Sequence, residues 1–121
     1  MQPGLLILYG IKSCDTCRKA RKWLTEHSYD YRFHDLRDDG LDARTLERWA
    51  GRIDWQKLLN TRSLTWRRLP EVDRADISEE NALASMLEHP TLVKRPVLEC
   101  SKFIAVGFTP KNYRDIFMQI T

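Results

Sequence analysis

The chain has 121 residues, 42% of them hydrophobic, with 20 basic and 17 acidic side chains and a formal net charge of +3. That length suits one domain with a real core, and a charge so nearly balanced gives little support to nucleic-acid binding. No apolar run approaches the roughly 18 residues of a membrane span, and no leader pattern precedes the first apolar run, so a soluble cytoplasmic protein is expected.

The first element is Leu5-Leu6-Ile7-Leu8-Tyr9, a nearly continuous apolar run ended by Gly10. This is the pattern of a strand buried on both faces. A helix is predicted over residues 15–27, with Ala20, Trp23 and Leu24 on one face opposite Arg18, Arg21 and Lys22. Asp15 is placed to cap that helix. Tyr29, Tyr31 and Phe33 alternate with Asp30, Arg32 and His34, which predicts a second strand. Strand, helix and strand in this order imply a parallel pair.

From residue 37 to 89 the periodicity is helical, in short pieces. Leu41, Leu46 and Trp49 mark one helix, Trp55, Leu58 and Leu59 a second, and Trp66 with Leu69 a third. Asp76-x-x-Glu79 reads as a capping box opening a helix with a stripe of Leu83, Met86 and Leu87, stopped by His89-Pro90. Pro96-Val97-Leu98-Glu99-Cys100 and Phe103-Ile104-Ala105-Val106 then form two strands joined by Ser101-Lys102, a hairpin connection. Pro110 starts a closing helix with Tyr113, Ile116, Phe117 and Ile120 apolar. The total is an α/β chain of thioredoxin order, β-α-β then β-β-α, with a helical insertion and a mixed sheet of about four strands. One domain over residues 1–121 is expected, its core about 4–36 and 90–121 and its insert about 37–89.

Chemistry concentrates at Cys14-Asp15-Thr16-Cys17, where the first strand gives way to the first helix. A thiolate is the reactive form of cysteine, and a helix N-terminus offers unpaired N–H groups and about half a positive charge to stabilise it. Cys14 lies where that charge is largest, and Lys12, Arg18 and Lys19 add cations that should depress its pKa further. Cys17 is one turn on, within reach of a disulfide with Cys14. Two bland readings stand beside this one, a zinc half-site and a pair of inert thiols. No second metal-spaced pair is offered by Cys100, His27, His34 or His89, so no metal is expected. Cys100 reads as a small core residue, and His34 and His89 as structural. The insert is arginine-rich, with Arg44, Arg48, Arg52, Arg62, Arg67, Arg68 and Arg74 around Trp49, Trp55 and Trp66. Interspersed acids favour buried tryptophans and a solvated basic face, and nucleic acid is not an expected partner.

The segment Leu8-Tyr9-Gly10-Ile11-Lys12-Ser13-Cys14-Asp15-Thr16 resembles the opening of the arsenate-reductase-like family that includes ArsC, YffB and Spx proteins. Supporting segments are Tyr31-Arg32-Phe33-His34-Asp35, Asp39-Gly40-Leu41-Asp42, Leu58-Leu59-Asn60-Thr61-Arg62, Thr65-Trp66-Arg67 and Lys94-Arg95-Pro96. They span nearly the whole chain and are closest to the YffB branch. The resemblance implies a thioredoxin-like fold with a helical insertion, and a cysteine that attacks an oxyanion or mixed-disulfide substrate. Glutathione or glutaredoxin is the electron source it implies, as co-substrate or partner and not as a bound cofactor. An arginine beside the reactive cysteine, just before a proline, is matched by Arg95-Pro96, and a cis bond there is expected.

The expected site is therefore catalytic Cys14 and Cys17, with Lys12, Arg62 and Arg95 binding the anion that a thiolate would otherwise repel. Arsenate reductases carry Cys-x-x-Ser and three arginines. Here Cys17 takes the serine position, Asn60 the first arginine's with Arg62 displaced by two, and Gly107 and Phe108 lie near the third. A thiol or glutathione-linked reduction is expected before arsenate. An alternative comes from Cys14-x-x-Cys17-Arg18-Lys19-Ala20-Arg21, which resembles Spx proteins and implies a redox-switched regulator that binds the RNA polymerase α subunit.

Overall fold

The structure is a computed structural model that describes residues 4–120. Among the described residues four strands and seven α-helices follow in the order β1 (Leu6–Gly10), α1 (Asp15–Glu26), β2 (Tyr31–Asp35), α2 (Ala43–Ala50), α3 (Trp55–Leu58), α4 (Leu64–Arg68), α5 (Glu71–Arg74), α6 (Glu79–Glu88), β3 (Val97–Glu99), β4 (Ile104–Val106) and α7 (Pro110–Gln119), with a 3-10 turn at Pro90–Leu92 between α6 and β3. They divide into two compact units, one holding the chain up to Asp39 and again from Arg95, the other holding Gly40–Lys94.

In the first unit the sheet runs β2-β1-β3-β4, a mixed arrangement with β1 parallel to β2 and antiparallel to β3. The apolar run takes the inner position, as a strand buried on both faces must, with Leu8 opposite Phe33 on one side and Leu98 on the other. Leu6, Leu8 and Leu98 meet Ala20 and Leu24 of α1 and Tyr113 and Phe117 of α7 in one buried cluster. Each such side chain withdrawn from water is worth about 1.5–3 kcal/mol before ordering costs. Aromatic rings extend the cluster, with Trp23 edge-on to Tyr113 at 5.5 Å and Tyr29 stacked on Phe117 at 3.9 Å. This β-α-β and β-β-α arrangement is the thioredoxin-like fold.

Strand ends differ from the sequence pattern where burial does not extend. Leu5 lies outside β1 and is 66% exposed, and β2 begins at Tyr31 because Tyr29 is spent on the Trp23–Phe117 stack. The β3–β4 ladder closes at Glu99 and Ile104, so the turn is longer than the two residues expected, with the Cys100 N–H donating to the Phe103 carbonyl at 3.0 Å. Cys100 itself joins the core cluster.

In the second unit, α2 and α3 pack on α6, and Leu46, Trp49, Leu58, Ala82, Met86, Leu92 and Val93 are fully or almost fully buried. Trp49 is thus core, while Trp55 and Trp66 are half-buried. The capping box expected at Asp76 is replaced by a nearer cap: Ser78 directly precedes α6 and accepts from the Asn81 N–H. Asp76 instead takes a left-handed turn at φ +48. The buried stripe of α6 is Ala82 and Met86, with Leu83 and Leu87 half-buried. A short helix the periodicity did not mark, α5, is too brief to show a stripe. Leu59 pairs with Val93, and the Asn60 and Lys94 N–H groups donate to the Leu92 and Leu58 carbonyls at 2.7 Å.

Candidate active site

The loop between β1 and α1 carries Cys14 as the N-cap of α1, with extended backbone. The cap forms no side-chain hydrogen bond, and Asp15, expected in that role, is the first helical residue and pairs with Arg18. Asp15 falls inside the helix because the Cys14 N–H already closes a turn onto the Ile11 carbonyl at 3.0 Å and the Arg18 N–H onto the Cys14 carbonyl. Cys14 is half-buried and Cys17 fully buried, and both are free thiols.

The two sulfurs sit in opposite electrostatic states. Burial pushes the Cys14 thiol up, but the backbone N–H and thiol of Cys17 and the guanidinium of Arg95 outweigh it and hold it below the ordinary thiol range. At Cys17 burial is also the largest effect. The Ile11 amide opposes it, the neighbouring Cys14 adds to it, and Cys17 is pushed up to about 12. The pair therefore divides into a sulfur whose ionisation is favoured and one whose ionisation is opposed. Arg95 is the cation among the largest influences on Cys14, ahead of Lys12, Arg18 and Lys19, which sequence position suggested.

Arg95 is half-buried just before β3, and the Arg95–Pro96 peptide bond is cis. The Pro96 carbonyl accepts from the Gly107 N–H at 2.8 Å, which satisfies it on the β4 side. Lys12 turns its ammonium to Asp38 at 3.1 Å. Arg62 belongs to the second unit, exposed, with its N–H on the Asn60 side chain at 3.1 Å. Asn60, at the position where arsenate reductases carry an arginine, uses its side chain and carbonyl to shape that turn, also accepting from Ser63.

Two residues that sequence reasoning did not assign to the site hold it in place. Asp35 is 2% exposed at the end of β2. Its carboxylate accepts from the Lys12 N–H at 2.9 Å, from Arg37 at 2.8 Å and from Asp38 at 2.9 Å, which ties the Cys14 loop to β2. Burial raises the carboxyl, but these N–H donors outweigh it and keep it below the usual carboxylate range. Gly10 is the second: a Cβ there would lie 2.5 Å from the Cys17 sulfur, so only glycine lets the thiol seat against β1. The end of an apolar run marked Gly10 as a boundary, but its partner 7 residues on is a tertiary fact. Among the described residues no group of three or more His, Cys, Asp or Glu is arranged to hold a metal, and no helix is long and apolar enough to cross a membrane. His34 lies against the Tyr9 ring at 5.0 Å, and His89 is 3.9 Å from Glu88.

A mixed four-stranded sheet with a helix-capping cysteine, and an arginine acting on that sulfur just before a cis-proline, defines the thioredoxin-like class of thiol domains. Within that class, the model of the ArsC family matches residues 9–116, and the chain belongs to the ArsC family. Its fold is similar to that of a solved YffB protein, at 45% identity and a TM-score of 0.86, covering 91% of this chain and 96% of the other. It is also similar to an arsenate reductase (ArsC) related protein from Brucella melitensis, at 45% identity and a TM-score of 0.77 over 97% and 95% of the two chains. By sequence it is 32% identical to the global transcriptional regulator Spx of Lactiplantibacillus plantarum, over 91% of this chain and 84% of the relative.

Proposed function

We propose that the protein is a cytoplasmic thiol-dependent reductase in which the Cys14 thiolate attacks a mixed-disulfide or oxyanion substrate, with glutathione or a glutaredoxin supplying electrons. The observation that carries this reading is the division of the cysteine pair: Cys14 lowered beside Arg95, Cys17 pushed up to about 12. A nucleophile whose ionisation is favoured and a buried partner held in reserve suit attack followed by resolution. Arg95 offsets the repulsion between the thiolate and an incoming anion, and Lys12 is the further contact in this reading, by leaving Asp38. Cys14 forms a bond to one substrate sulfur while the other sulfur leaves as thiolate. Cys17 or a glutathione thiolate then displaces the second. Family membership and likeness to arsenate reductase related structures support a reductase. The test is turnover of a glutathione mixed disulfide with excess glutathione: Cys14→Ser loses all activity above background, and full turnover by that variant contradicts the reading.

A second reading, a redox-switched regulator that binds the RNA polymerase α subunit, is favoured by the identity to Spx and by Cys14-x-x-Cys17-Arg18-Lys19-Ala20-Arg21. Capture of purified α subunit that changes between the reduced and oxidised protein would put this reading ahead of the first.

A further inference from the structure

Of the insert's three tryptophans, Trp49 is fully buried, while Trp55 of α3 and Trp66 of α4 are only half-buried. Their open parts are not scattered: both line one open cavity of about 400 Å³, formed wholly within the second unit. Leu59 and Ile77 supply its other large apolar walls. That volume lies in the range that holds a small molecule, and an aromatic wall with a few polar groups is the usual lining of such a site.

Arg74 and Asp76 bring one cation and one anion to the same cavity. Arg74 is half-buried at the end of α5, and its Nε donates to the Leu69 carbonyl at 3.1 Å, which anchors the guanidinium and leaves its terminal nitrogens to meet a ligand. Asp76 is exposed two residues on, in the left-handed turn after the helix. Among the described residues neither side chain forms an ion pair, although the two charges are opposite and adjacent in the chain. A guanidinium suits a carboxylate, a carboxylate suits an ammonium, and two indoles suit a flat ring. A free aromatic amino acid carries all three, with both charges on one carbon. Within a peptide those two groups are amides, and a chain terminus keeps only one of them.

We infer that the insert binds a free aromatic amino acid in this cavity, with the ring against Trp55 and Trp66, the carboxylate on Arg74 and the ammonium on Asp76. The site uses neither Cys14 nor Cys17, so it stands independently of the reductase and regulator readings above.

The test titrates the isotope-labelled full chain with L-tryptophan and follows the indole N–H signals by NMR. The expected result is saturable movement of the Trp55 and Trp66 signals, with that of Trp23 in the first unit unmoved, and a Kd of about 1 mM or tighter. Indolepropionate, which lacks the ammonium, and tryptamine, which lacks the carboxylate, should each bind roughly threefold more weakly or worse, the change that loss of one exposed ion pair gives. Arg74→Gln should erase the advantage of tryptophan over tryptamine, and Asp76→Asn its advantage over indolepropionate. Equal binding of the three ligands to the wild-type chain overturns the inference, leaving an apolar cleft without charge recognition. No movement up to about 10 mM L-tryptophan, or equal movement of Trp23, overturns the site altogether. The three ligands are compared on the unaltered chain, so the result holds even where a variant fails to fold.

Discussion

At Cys14 the balance between burial and stabilisation is close, because desolvation is the largest single effect and only the sum of smaller ones reverses it. The Cys17 N–H and thiol supply part of that sum, and both follow from the helix turn that seats Cys17 against Gly10. Arg95 supplies the rest, from a distant part of the chain. Arg95→Gln should therefore raise the Cys14 pKa and lower the rate of iodoacetamide alkylation at neutral pH, with the pH–rate profile moving to higher pH. A profile that does not move would show that the helix turn alone sets the thiolate. The sign is fixed by charge: a guanidinium favours the thiolate over the thiol, so its loss favours the thiol. The sequence put Cys14 and Cys17 at a strand-to-helix junction, and that much was legible in a Cys-x-x-Cys after an apolar run. It did not reveal that Lys12 would be engaged by Asp38, because an ion pair across 26 residues depends on where β2 ends.

At the scale of elements, the Cys14 loop is fixed by the end of β2. Parallel pairing of β1 with β2 sets Gly10 beside Asp35, and the Leu36 N–H on the Gly10 carbonyl and Asp35 on the Lys12 N–H follow from that register. Asp35→Ala removes the acceptor from N–H groups in this part-buried loop and should cost on the order of 2 kcal/mol in urea unfolding. Asp35→Asn keeps an oxygen but not the charge. Since the folded carboxyl lies below its ordinary 3.8, its contribution is fully present above that value and is lost as pH falls through the folded pKa. The stability gap between wild type and Asp35→Asn should thus narrow in acid below about pH 4; a gap that persists there would place the effect in shape and not in charge. Element types were largely legible from apolar periodicity, and ends were not. The α6 cap moved from Asp76 to Ser78 because the helix begins only at Glu79, and either residue type suits an N-cap.

For the molecule as a whole, the sheet with α1 and α7 forms one unit, which holds Cys14, Cys17, Arg95 and Pro96, and the helical insert forms another, which holds Arg62. The thioredoxin order was legible because β-α-β and β-β-α each carry a strong local pattern, and matches to the ArsC family spread along most of the chain. Which cations attend the sulfur was not, since that is decided by side-chain geometry at a strand end 81 residues away from Cys14. The central claim is that Cys14 is the attacking sulfur of a thiol-dependent reductase. The most direct measurement is to expose the reduced protein briefly to glutathione disulfide, quench it, and map the earliest adduct by peptide mass spectrometry. The account predicts glutathione on Cys14, with none on Cys17 or Cys100; first modification at either of those cysteines, or no adduct on Cys14, would contradict it.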